Sequence, residues 1–214
     1  MRALLFLLGL PLVACSDTGP ETTMATDAAT PAADASAALD AGATGPLDAT
    51  APLDAGVDAP SCPASGPYGT EVGAVAPDVV LYACDGTEVR LHELCEAPVA
   101  WIVEYAEWCP ICRTFARDEV ERLWQTYAPM GVQGYVVVSA DDSHGAPTAE
   151  LCAEVRDRYG FTIPVLYDPT GALQSGLDVS SNAVNLLFTE GMRIAWKGRY
   201  QDDEVEGQLR ALLE

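Results

Sequence analysis

The chain predicts an α/β fold, a mixed central sheet flanked by helices and preceded by a disordered tether. Three observations carry this. The stretch 99–105, apolar but for Glu104, reads as a buried strand, and 135–138 is apolar without alternation, as a strand covered on both faces is. Segments whose apolar residues recur near helical spacing follow each of them, over 111–127 and 148–159. Residues 16–61 contain no aromatic side chain and consist almost wholly of Ala, Thr, Asp, Pro and Gly, a composition that cannot bury enough apolar surface to fold.

The N-terminus, 1–14, has the layout of a secretory signal: Met1-Arg2, then an apolar run too short to span a bilayer. It ends in Leu12-Val13-Ala14-Cys15, which resembles a bacterial lipobox, so Cys15 is the expected lipidation site and the membrane an expected partner. Two or more acyl chains anchor stably where one does not. The linker, 15–61, carries eight acids with no Lys or Arg and repels itself. Its root-mean-square span is about 35 to 40 Å. Its Thr-rich part also fits an O-glycosylated stalk.

Residues 62–214, about 150, suit one domain with a single core. Its 24 acids and 10 bases leave a net charge of −14, which argues against nucleic acid as a partner. A hairpin is predicted from strands at 79–82 and 89–91 around Asp85-Gly86, then a strand at 99–105. The next helix buries Phe115, Val120, Leu123, Trp124 and Tyr127 and stops before Pro129-Met130-Gly131. A strand at 132–139 leads to a helix at 148–159 closed by Gly160, and a short strand at 165–167 ends at Asp168-Pro169-Thr170-Gly171. A second hairpin, 185–188 with 192–196, turns at Glu190-Gly191, and a last helix starts near Asp202 and buries Val205, Leu209 and Leu212.

Trp108-Cys109-Pro110-Ile111-Cys112 lies where the strand 99–105 hands over to a helix. Unpaired N–H groups and the positive end of the dipole there favour a thiolate. Cys109 is the expected attacking sulfur, and Cys112, one turn on, the resolving one. Pro110 suits the first helical turn, where its missing N–H costs nothing.

This stretch, with Tyr105-Ala106-Glu107 ahead of it, resembles the thioredoxin superfamily, and the order of elements is most similar to the TlpA/ResA-like thiol-disulfide oxidoreductases, from about Val72 to the C-terminus. The resemblance implies a thioredoxin-like fold and a redox-active disulfide without metal or organic cofactor. It implies protein thiols and disulfides as substrates and a membrane electron donor that resets the pair. With the lipobox it implies a bacterial cell-envelope location, periplasmic or outer-membrane facing. Trp108 is expected to shield the sulfurs. Ile111 adds no charge or hydrogen bond to the Cys109 thiolate, so a potential between those of thioredoxin and DsbA is expected, on a scale of about −270 to −120 mV.

Three positions depart from the family pattern. The buried acid six residues before the first cysteine is Val103 here, and the neighbouring Glu104, a candidate proton carrier, is turned to the other face by strand alternation. The Glu that ResA-like proteins carry three residues after the second cysteine is Phe115, leaving water or a distal acid such as Glu107. At the family's cis-proline stands Ala183, within Ser181-Asn182-Ala183-Val184. A cis bond without proline costs about 3 to 4 kcal/mol, so trans is expected there.

Once Cys15 and the active pair are set aside, Cys62, Cys84, Cys95 and Cys152 remain, an even number that suits an oxidising compartment and allows three pairings. Cys84 with Cys95 across the leading hairpin, and Cys62 with Cys152, are the expected structural disulfides; free buried thiols are the other reading. His92 and His144 read as ordinary surface histidines, and Arg113 as solvated or steering an acidic partner. The expected function is a membrane-tethered extracytoplasmic thiol-disulfide oxidoreductase, against a non-catalytic binding module with a stapling disulfide. A peroxiredoxin-like peroxidase would need Thr where Ala106 stands, and a Sco-type copper carrier would need three residues between the cysteines.

Overall fold

A computed structural model describes residues 62, 64–179, 183–200 and 204–214. The expected signal, the lipidation site Cys15, the linker, loop residues 181 and 182 and the helix start at Asp202 lie outside the described residues.

The strands are β1 (Val80–Ala83), β2 (Glu88–Arg90), β3 (Val99–Ala106), β4 (Val132–Ala140), β5 (Val165–Tyr167), β6 (Val184–Thr189) and β7 (Arg193–Arg199). They form one sheet in the order β2-β1-β5-β4-β3-β6-β7. β3, β4 and β5 run parallel, and β1, β2, β6 and β7 add antiparallel edges, the mixed sheet that the sequence predicts. β3 lies inside the sheet between β4 and β6 and all eight of its residues are buried, which explains a run that is apolar but for Glu104. It packs against β4 so closely that a Cβ on Gly134 would lie 2.0 Å from the Trp101 carbonyl oxygen.

Among the described residues, five α-helices cover the sheet: α1 (Pro110–Phe115), α2 (Glu121–Tyr127), α3 (Ala149–Tyr159), α4 (Ala172–Leu177) and α5 (Glu204–Leu213). The single helix expected after the cysteines is divided, because a π turn, Ala116–Val120, joins α1 to α2. α3 starts on Thr148, whose hydroxyl accepts from the Leu151 N–H, and ends on Gly160 at φ 65°. α4 was not predicted. Asp168 builds it: its buried carboxylate accepts from the N–H groups of Thr170, Ala172 and Leu173 at 2.8–3.2 Å, converting the expected turn into a helix start.

Two apolar layers lie on opposite faces of the sheet. One holds Trp101, Val103 and Tyr105 of β3 with both active-site cysteines and residues of α2, α3 and α5. The other holds Ala100 and Ile102 with Leu173 and Leu177 of α4, Ala64 and Cys95.

That division corrects the disulfide pairing. The bonds are Cys62–Cys95 and Cys84–Cys152, not Cys84–Cys95 and Cys62–Cys152. Antiparallel register pairs Tyr82 with Glu88 and Val80 with Arg90, so the chain leaves the hairpin for Cys95 at the end remote from Cys84. The two cysteines also belong to opposite layers. Cys84 instead meets Cys152 of α3, whose helix packs on β1 and β5. His92 is likewise no surface residue: it is buried, with Nε2 2.9 Å from the Ala76 carbonyl oxygen.

Candidate active site

β3 ends at the sheet's centre, and the chain turns at once into α1: Cys109 N–H donates to the Ala106 carbonyl at 3.1 Å. Cys109 is the N-cap, with extended backbone (φ −88°, ψ 110°), and its Sγ accepts from the Cys112 N–H at 3.2 Å. Pro110 occupies the first helical position, where no intrahelical bond is lost. The two cysteines are disulfide-bonded with Cα atoms 5.3 Å apart. They differ in access: Cys109 keeps 5 % of its surface and Cys112 none. An incoming sulfur therefore meets Cys109 first. Neighbouring groups cover the rest of its surface.

One such neighbour is Trp108, half-buried, whose ring lies 4.3 Å from that of His144 at an interplanar angle of 34°. His144 is thus part of the site's rim. Asp141 accepts from the N–H groups of Ser143 and Gly145 at 2.8 and 2.7 Å, and His144 between them adopts φ 67°. The signal for it was topological: β3 and β4 are parallel, so the turn after β4 lies beside the turn after β3. Ile111 is half-buried beside the pair and Arg113 is exposed on α1.

The acids do not converge on the sulfurs. Glu104 is fully buried on the α4 side of the sheet, where Gln174 Nε2 donates to its Oε1, so the sheet separates it from Cys109 and Cys112 and it does not serve them as proton carrier. Burial pushes its carboxyl up to about 7, against hydrogen bonds from Gln174 and Ser139 and with the charge of Asp168. Glu107 is occupied: Arg158 donates to Oε1 at 2.6 Å and the Tyr105 hydroxyl to Oε2 at 2.7 Å. Burial first, then the hydrogen bonds with Tyr159 and Glu107, raise the Tyr105 phenol and keep it a donor.

Ala183 is buried at the head of β6 with φ 68°, and its carbonyl accepts from the Tyr200 N–H at 3.1 Å. Proline fixes φ near −65°, so this backbone excludes the family's proline in conformation as well as in sequence. The peptide bond that precedes Ala183 involves a residue outside those described. Tyr200 links this loop to α1: its ring stacks on Phe115 at 4.2 Å and 12°, and its hydroxyl donates to the Glu104 carbonyl.

A disulfide-bonded cysteine pair whose first member caps a helix that follows an interior strand of such a sheet marks a thioredoxin-like protein. The family profile described as Redoxin matches residues 71–198, and the chain belongs to that family. Solved structures share the fold. The thioredoxin domain of a thiol-disulfide oxidoreductase from Bacteroides vulgatus is 13 % identical with a TM-score of 0.57, over 68 % of this chain and 100 % of that one. A candidate thiol:disulfide interchange protein DsbE from Chlorobium tepidum is 20 % identical, TM-score 0.57, over 68 % and 100 %. An uncharacterised conserved protein from Geobacillus kaustophilus is 23 % identical, TM-score 0.60, over 68 % and 83 %. Comparison with curated proteins returned no match.

Proposed function

We propose that the chain is an extracytoplasmic thiol-disulfide oxidoreductase, held at a bacterial membrane by lipid on Cys15 and acting on protein substrates through Cys109 and Cys112. The observation that carries this reading is the N-cap geometry: one sulfur partly open and hydrogen-bonded by the amide of its buried partner. In the reducing direction the Cys109 thiolate attacks a substrate disulfide. A Cys109–substrate bond forms and the first substrate thiolate leaves. Cys112 then attacks Cys109 sulfur, the internal disulfide forms, and the second substrate thiolate leaves with the Cys112 proton. The substrate gains two electrons, and a membrane dithiol donor returns two to the pair.

Insulin-disulfide reduction coupled to a dithiol donor tests it. Turnover by the wild type and its loss in Cys109→Ser and Cys112→Ser are expected. Equal rates in all three proteins, with a disulfide that resists dithiothreitol, would instead make the chain a binding module. Metabolic labelling with palmitate, lost in Cys15→Ala, tests the anchor.

A further inference from the structure

Four polar or charged residues are buried among the described residues: His92, Glu104, Asp168 and Asn185. The first three have their partners on the α4 side or in the segment before β1. Of the four, Asn185 alone lies on the cysteine-side face of the sheet. It shares a face of β6 with Leu187, which belongs to the cysteine-side layer, and its Oδ1 accepts from the indole N–H of Trp101, a member of the same layer, at 2.8 Å. That bond fixes which end of the amide is oxygen. Its Nδ2, fully buried, has no hydrogen-bond partner. An unmade buried donor costs about 1 to 3 kcal/mol, a cost that persists only where something offsets it.

Register identifies where this donor stands. Asn185 pairs with Val103 across the β3–β6 ladder, the residue six before Cys109, on the same face of the sheet. Trp101, which holds Oδ1, lies two residues back along β3. The Nδ2 group is the end of the amide that Trp101 leaves unbonded, in the layer that also holds Cys109 and Cys112.

Resting on the thiol-disulfide reading above, we infer that Asn185 is a positioning residue whose Nδ2–H group is the reserved donor to the Cys112 sulfur once the disulfide opens. In the bonded state neither sulfur carries charge and the donor is idle. Two electrons supplied by a dithiol break the S–S bond and leave Cys112 sulfur as a thiol or thiolate, an acceptor in the same apolar layer. The amide takes no proton; it lowers the cost of charge on a sulfur that is otherwise fully desolvated. Its effect is to favour the reduced form and the attacking form of Cys112.

The test measures the dithiol/disulfide equilibrium against glutathione and, in a Cys109→Ser background, the pH dependence of Cys112 alkylation. In Asn185→Leu the equilibrium is expected to move about tenfold toward the disulfide, which is about 30 mV more negative. The Cys112 alkylation profile is expected to move up by about one pH unit. Asn185→Thr, which keeps a donor on a strand-compatible side chain, is expected within threefold of the wild type. Should Asn185→Leu not fold, Trp101→Phe, which frees the amide to rotate, is expected to shift both readouts at least twofold in the same direction. A folded Asn185→Leu, or Trp101→Phe, with both readouts unchanged overturns the inference. Loss of insulin turnover in the wild type would overturn the functional reading instead, because the glutathione equilibrium is measured without it.

Discussion

Glu104 makes the stability of this domain fall as pH rises, and the size of the fall follows from its surroundings. The side chain is fully buried, Gln174 donates to Oε1, and Oε2 has no partner. Burial, opposed by the hydrogen bonds from Gln174 and Ser139 and reinforced by the nearby charge of Asp168, raises its carboxyl from 4.5 to about 7. Because the folded state holds this proton more tightly than the unfolded state, the folded chain binds more protons between those two values, and unfolding free energy decreases with pH across that window. The stabilising proton is fully present below about pH 4.5 and lost as pH passes through about 7. At 1.36 kcal/mol per pH unit the difference is about 3 kcal/mol. Urea denaturation of the wild type and of Glu104→Gln at intervals from pH 4.5 to 8.5 isolates it, since the depressed carboxyls of Asp118 and Asp141, whose contribution has the opposite sign, are common to both proteins. The wild type is expected to lose about 3 kcal/mol relative to Glu104→Gln over that range. Parallel curves for the two proteins would refute the reasoning, and with it the placement of an ionisable group in the α4 layer.

The two structural disulfides close loops of 33 and 68 residues. Joint replacement of Cys84 and Cys152 by Ser is expected to cost about 4 kcal/mol in denaturant unfolding, by loop-closure entropy, and peptide mapping without reduction should recover 62 with 95 and 84 with 152. Gly134→Ala forces a methyl group onto the Trp101 carbonyl and should cost about 3 kcal/mol or prevent folding, read as soluble yield and melting temperature. His144→Ala removes the ring that lies on Trp108; an edge or face contact of this kind contributes about 0.5 to 1.5 kcal/mol. Iodoacetamide should then alkylate reduced Cys109 about threefold faster, and unchanged alkylation would show that the rim does not govern access.

Much of the fold was legible because its signals were local and redundant. The apolar run of β3 and the cysteine pair at its end fixed the central strand and the first helix together, and Thr148 with Gly160 bounded α3 from both sides. What escaped depended on contacts distant in sequence. Asp168-Pro169-Thr170-Gly171 reads as a turn until one sees the Asp168 carboxylate buried against the amide of Thr170 and the first two amides of α4. The disulfide partners required knowing on which side of the sheet each cysteine stands, and hairpin proximity alone misled. His144 and Asn185 carry no motif, and their relevance comes from the parallel register of β3 with β4 and the antiparallel register of β3 with β6.

The three departures from the family pattern form one physical change. Phe115, in place of an acid after the second cysteine, stacks on Tyr200; Tyr200 donates from its backbone to Ala183, the residue in place of proline, and from its hydroxyl to the carbonyl of Glu104 in β3, next to Val103. An aromatic bridge thus links α1, the β6 loop and β3. A site walled in this way excludes water from Cys112, which raises the cost of thiolate formation there. A neutral donor tolerates such a wall where a carboxylate would not, since a buried amide lacking one bond costs far less than a buried unpaired charge. Asn185 is the buried amide on that face that meets the condition, and it stands across the ladder from Val103.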